Sequence, residues 1–125
     1  MTILLFQQQF IEPIRRGTKT QTIRRFRRRL IEPGSKLSLR AWTAAAYRSP
    51  QGLIRPDPVT CLSVEHIEMD FRLCSVRIAG SEMKATAFDA FARRDGFKHF
   101  AELLDYWLRQ NSGLTFEGQL IRWAT

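Results

Sequence analysis

The chain has 125 residues, of which 44% are hydrophobic and 26% charged, with nine Phe, three Trp and a net charge of +8. This length predicts one domain with its own core, and the composition excludes the disordered class. No apolar run approaches the ~20 residues that span a bilayer, and the opening MTILLF runs into three Gln, so a cytoplasmic protein without a membrane partner is expected.

Phe10 and Ile14 lie four apart, Pro13 suits a first helical turn and Gly17 the residue past a helix end, which predicts a helix over 12–16. Thr20 to Ile23 is rich in β-formers and predicts a short strand, and the following RRFRRR an exposed loop. Pro33 and Gly34 mark a turn before a half-buried strand, Lys36 to Trp42, in which Leu37, Leu39 and Ala41 alternate with polar residues. The stretch 43–58, with three Pro and a run of small residues, reads as one long loop.

Val59 to Met69 predicts a strand, residues 69–71 a hairpin turn, and the alternation of Cys74, Val76 and Ile78 the returning strand. Cys61 and Cys74 thus read as free, buried thiols. Thr86 and Asp89 have capping-box spacing for a helix ending near Gly96. Phe100, Leu103, Leu104, Trp107 and Leu108 form an apolar stripe on a second helix stopped at 111–113, and Leu120 to Trp123 returns as a final strand. The pattern predicts an α+β domain over 1–125 with a mixed or antiparallel sheet curled into a small barrel.

The positive charge is concentrated: Arg15, Arg16, Lys19 and the five arginines between 24 and 29 crowd the first quarter of the chain. Such a patch attracts polyanions, and Arg24, Arg25, Arg27 and Arg28 around Phe26 suit phosphate contacts beside a surface on which an unpaired base could stack. Trp42 and Tyr47 flank the long loop and offer further stacking surface, although burial is the commoner fate of a Trp. His66 and His99 are isolated and no metal-binding or nucleotide-loop spacing occurs, so neither metal nor cofactor is expected.

The run F-x-x-x-I-x-x-G-x-K-T-x-T-I-R, carried here by Phe10, Ile14, Gly17, Lys19, Thr20, Thr22, Ile23 and Arg24, resembles the signature of the ASCH domain family, a relative of the PUA RNA-binding domain. EPGSKLSL at 32–39, FARRDGF at 91–97 and FEGQLIRW at 116–123 resemble later segments of that family in order and spacing. The resemblance implies a small PUA-like β-barrel with helices over its openings, and a cleft lined by Gly17 to Arg24 that takes RNA or a nucleoside. Some small members of the family deacylate N4-acetylcytidine, and another branch cleaves RNA. Their catalytic Lys and Thr correspond to Lys19 and Thr22. The acid has no clean counterpart, with Asp95 the nearest candidate and Glu102 and Glu65 the alternatives.

Amide hydrolysis by such a set requires a base, a nucleophile or bound water, and a cation near the oxygen that gains charge. Lys19 can act as a base near neutrality only where burial or neighbouring cations such as Arg24 and Arg25 lower its pKa. Lys19 and Thr22 have opposite parity, so a bend near Thr20 is needed to aim both into one cleft. The readings in order are a monomeric RNA- or nucleoside-binding domain, an N4-acylcytidine amidohydrolase or, further back, a ribonuclease, and a module whose basic face docks an acidic protein.

Overall fold

The structure is a computed structural model and describes residues 1–44 and 49–124. Strand β1 (Thr2–Phe6) leads through a 3-10 turn into helix α1 (Ile11–Arg16). Pro13 sits in the first helical turn, where no backbone donor is required, and Gly17 closes the helix at φ +79°, a left-handed conformation in which a Cβ would be strained. Strands β2 (Gln21–Arg24) and β3 (Lys36–Trp42) follow, and β3 buries Leu37, Leu39 and Ala41 as their alternation predicts.

The stretch 43–58 is not loop throughout. Gln51–Leu53 forms β4, an edge strand hydrogen-bonded to Arg40–Trp42 of β3 and closed by Thr43, whose N–H and hydroxyl both donate to the Pro50 carbonyl. Gln and Gly have little strand preference of their own, so this pairing comes from the neighbouring ladder. Tyr47 lies outside the described residues.

Strand β5 (Val59–Asp70) carries the sheet around. Its first residues pair with β3, a bulge intervenes between Cys61 and Ser63, and the remainder pairs with β8 (Thr115–Trp123). A bulge bends a strand and increases its twist, which lets one strand serve both halves of the sheet. Its far end also pairs with β6 (Ser75–Ile78), which pairs with the two-residue β7 (Ser81–Glu82). The turn falls at 71–74, capped by the Asp70 carboxylate, which accepts from the N–H of Arg72 and of Leu73. Cys74 belongs to this turn, at φ +50°, and is exposed; only Cys61 is the buried thiol expected of both.

Helices α2 (Phe88–Arg94) and α3 (Phe100–Gln110) lie between β7 and β8 in the chain. The expected capping box does not form. A 3-10 turn precedes α2, its start has no side-chain cap, and the Asp89 carboxylate instead accepts from the N–H of Phe100, at the first turn of α3. The His99 ring caps α3 by accepting from Glu102 N–H. Phe100, Leu103 and Trp107 of α3 are buried, with Trp107 against Phe116 of β8 at 4.5 Å between ring centres, while Leu108 remains half exposed.

Among the described residues the fold is α+β with a mixed eight-stranded sheet and three short helices. Hydrogen bonding runs β1-β3-β5-β8-β2, parallel between β1 and β3 and antiparallel elsewhere. The expected barrel is not closed: among the described residues no ladder joins β1 to β2. All four residues of β2 pair with β8, and across the open edge the Arg24 side chain donates to the Leu5 carbonyl of β1. No helix of the described residues is long and apolar enough to cross a membrane.

Candidate functional site

The open seam between β1 and β2 is a cleft of about 650 Å³. Residues 3–6 form one wall, Thr22 to Arg27 the other, and Lys19, Asp95 and Tyr106 line it with them. After Gly17 reverses the chain, the Pro13 carbonyl accepts from the N–H groups of both Thr18 and Lys19. This curl turns Lys19 inward before β2 begins, and the side chain is only 2% exposed. The bend expected near Thr20 is present in that form: the ladder starts at Gln21, Thr20 N–H donates to Arg94 and its carbonyl accepts from Trp123.

Asp95 reaches the same place from the end of α2. Gly96, at φ +95°, donates to Arg93, and Phe97 donates to Ala92, which is the Schellman pattern for ending a helix. It leaves the Asp95 carbonyl facing inward, and Lys19 Nζ donates to it at 2.5 Å. The ammonium therefore meets the negative end of a helix, and the Asp95 carboxylate lies 4.0 Å away as an ion-pair partner. Gln21 Nε2 donates to the same carboxylate at 3.4 Å. The Lys19 ammonium also lies over the Phe10 and Phe6 rings, 4.5 and 5.6 Å from their centres.

Burial acts on both groups. It lowers Lys19 from its ordinary 10.5 to about 8, against the attraction of Asp95 and with help from the Arg24 charge. It raises Asp95 from 3.8 to about 6, against Lys19, Gln21 and Arg24. The two values are thus brought within about two units of one another. Burial likewise raises the Tyr106 hydroxyl, whose ring packs on Phe10 and Phe97.

Thr22 and Arg24 share strand parity and so one face of β2. Arg24 Nε donates to Thr22 Oγ1 at 3.1 Å and its Nη2 to the Leu5 carbonyl at 2.7 Å, so one guanidinium spans the seam where the ladder is missing. The guanidinium also lies 4.6 Å from the Phe6 ring centre. Because the Thr22 oxygen accepts from Arg24, its own hydroxyl hydrogen is directed elsewhere.

The structure thus brings Lys19, Thr22, Asp95, Arg24, Arg25, Phe26, Arg27 and Trp42 to one cleft. Gly17 and Thr20 lie outside it and act through the backbone, and Arg28 is exposed beyond its rim. Phe26 is half exposed but stacks on the His66 ring at 5.8 Å, so one face of it is covered. Arg25 reaches Asn111 at 3.3 Å. The alternative acids do not line this cleft: Glu65 is paired with Arg122 at 2.8 Å, and Glu102 lines an adjoining groove.

Sequence reasoning missed Gln21, Tyr106 and the Leu5 carbonyl. Gln21 carried only the signal of its position, two residues after Lys19 and between two Thr in a predicted strand; that it is fully buried and needs a partner is decided by the fold. Tyr106 carried none. Among the described residues no group of His, Cys, Asp and Glu could hold a metal ion. In comparison with known proteins, the chain matches no family model, no curated protein and no solved structure.

Proposed function

We propose that the cleft binds a nucleobase together with its phosphate, on RNA or on a free nucleotide. The observation that carries this reading is that Arg24, Arg25 and Arg27 line the same pocket as Trp42 and the Phe26 edge, so cations and aromatic surface converge on one concavity. The resemblance of residues 10–24 to the ASCH signature, and through it to a PUA-like architecture, points the same way. In that reading the arginines hold phosphate and Trp42 supplies stacking surface.

A second reading, deacylation of an N4-acylated cytidine, is favoured by the buried Lys19–Asp95 pair in the cleft that Thr22 also lines. In this mechanism neutral Lys19 takes the Thr22 hydroxyl proton as the oxygen attacks the acyl carbon, and Arg24 stabilises the charge that develops on the acyl oxygen. The C–N bond then breaks, Lys19 returns the proton to the leaving exocyclic amine, and water hydrolyses the threonyl ester. Asp95, held by Gln21, positions the Lys19 ammonium between turnovers. Incubation with N4-acetylcytidine, followed by chromatography for cytidine, tests this. Lys19→Ala and Thr22→Ala are expected to lower turnover on the order of 10²-fold or more. Absence of turnover, or turnover indifferent to Lys19→Ala, rejects hydrolysis and leaves binding as the function.

A further inference from the structure

A second groove, of about 960 Å³, lies between α1, α2 and α3 and shares Gln7, Phe97, Tyr106 and Gln110 with the first cleft. The two are therefore continuous across one polar and aromatic saddle. Three elements bring cations to this groove: Arg16 from the end of α1, Arg93 from α2 and Lys98 from the link between α2 and α3. All three side chains are exposed, and among the described residues none of them takes part in an ion pair. Of the acids in the groove, Glu12 is engaged by Arg15 at 3.6 Å and Asp105 by Arg109 at 2.7 Å, which leaves Glu102 alone against the three cations.

We infer that the second groove is the continuation of the nucleotide site and that the ligand is a single-stranded oligonucleotide rather than a free nucleoside. One nucleotide occupies the first cleft, its neighbours cross Tyr106, and their phosphates are received by Arg16, Arg93 and Lys98. This inference rests on the nucleotide-binding reading of the first cleft. An acidic peptide would find the same cations, but the saddle offers the half-buried Tyr106 ring and the exposed amides of Gln7 and Gln110, which suit bases as well as phosphates.

The test compares cytidine 5′-monophosphate with hexacytidylate by calorimetric titration between 50 and 200 mM salt, using the wild type and the triple variant Arg16→Glu, Arg93→Glu, Lys98→Glu. The expected result is at least tenfold tighter binding of the hexamer. The triple variant should abolish that advantage and flatten the hexamer's log–log salt slope by about 2, from roughly 0.7 per neutralised phosphate. Its affinity for the monophosphate should change less than twofold. Equal affinity for the two ligands, or a hexamer affinity indifferent to the triple variant, overturns the inference while leaving the first cleft's reading intact. Binding of neither ligand overturns both. Displacement of the hexamer by an equal concentration of hexaglutamate would make the groove a site for acidic peptides and also overturn it. Circular dichroism melts of the variant, with substitutions confined to exposed positions, confirm that the fold is retained.

Discussion

At neutral pH Lys19 and Asp95 are both charged, and each is charged at a cost. Lys19 has a pKa of about 8 in the folded chain against 10.5 ordinarily, so between those values the unfolded chain binds more protons and stability rises with pH. Asp95 has a pKa of about 6 against 3.8, so over that interval the folded chain binds more protons and stability falls as pH rises. Each window is worth on the order of 3 kcal/mol. Their sum predicts a trough between about pH 6 and 8, visible as the difference between the melting curves of the wild type and of Lys19→Met/Asp95→Leu. At pH 7 the double variant should be as stable as the wild type or more so, while either single variant loses about 3 kcal/mol because it strands the other charge. A double variant less stable than both singles would contradict this account. Hydrolysis, if present, should rise with pH through about 8 as Lys19 becomes neutral. Gly96 belongs to the same locality. A Cβ there would lie 2.9 Å from Lys19 Cδ and 3.1 Å from Phe10 Cδ1, at φ +95°. Gly96→Ala should therefore cost about 1–2 kcal/mol and displace Lys19, lowering hydrolysis more than phosphate binding.

Among the elements, β2 is the one on which the site depends. Four residues long, it is held to β8 by the Gln21 to Arg24 register and, among the described residues, has no ladder toward β1. Gly118 on β8 allows that close approach, because a Cβ would stand 2.2 Å from the Arg24 carbonyl and 2.7 Å from the Phe116 ring. Backbone, unlike a flexible side-chain end, cannot swing aside. Gly118→Ala is expected to cost about 3 kcal/mol in denaturant unfolding and to weaken ligand binding by pushing β2 outward. A substitution that is neutral in both measurements would show that β2 does not need this contact. The strand was legible from its Thr and Ile content, and α1 from Pro13 and Gly17, since those are local preferences. β4 was not, because it borrows its conformation from β3, and the capping box failed because Asp89 makes its hydrogen bond across to α3.

Across the molecule, charge and architecture are linked by the unclosed sheet. With no ladder between β1 and β2 among the described residues, the Leu5 carbonyl is taken by the Arg24 side chain and the opening collects the arginines from the start of the 25–29 loop, although Thr22 itself is only 5% exposed. Arg25 and Arg27 line the cleft, and Arg28 does not. Replacing Arg25 and Arg27 with Ser should flatten the salt slope for an RNA oligomer by about 1.4, whereas Arg28→Ser should leave it nearly unchanged. Equal effects at all three positions would mean that the patch acts as diffuse charge and that the cleft has no particular role.

Properties that depend on near neighbours in the chain could be read from composition and spacing: the basic first quarter, the inward residues of Lys36 to Trp42, the helix ends at Gly17 and Gly96. What joins distant segments could not. The Lys19–Asp95 pairing spans 76 positions, β2 finds its partner in β8 at the far end of the chain, and Tyr106 enters the cleft from a helix whose apolar stripe belongs to the core. The spacing rules describe periodicity along one element, whereas burial depends on which elements meet. That meeting turns Lys19 from a solvated cation after a helix into a buried group with a lowered pKa.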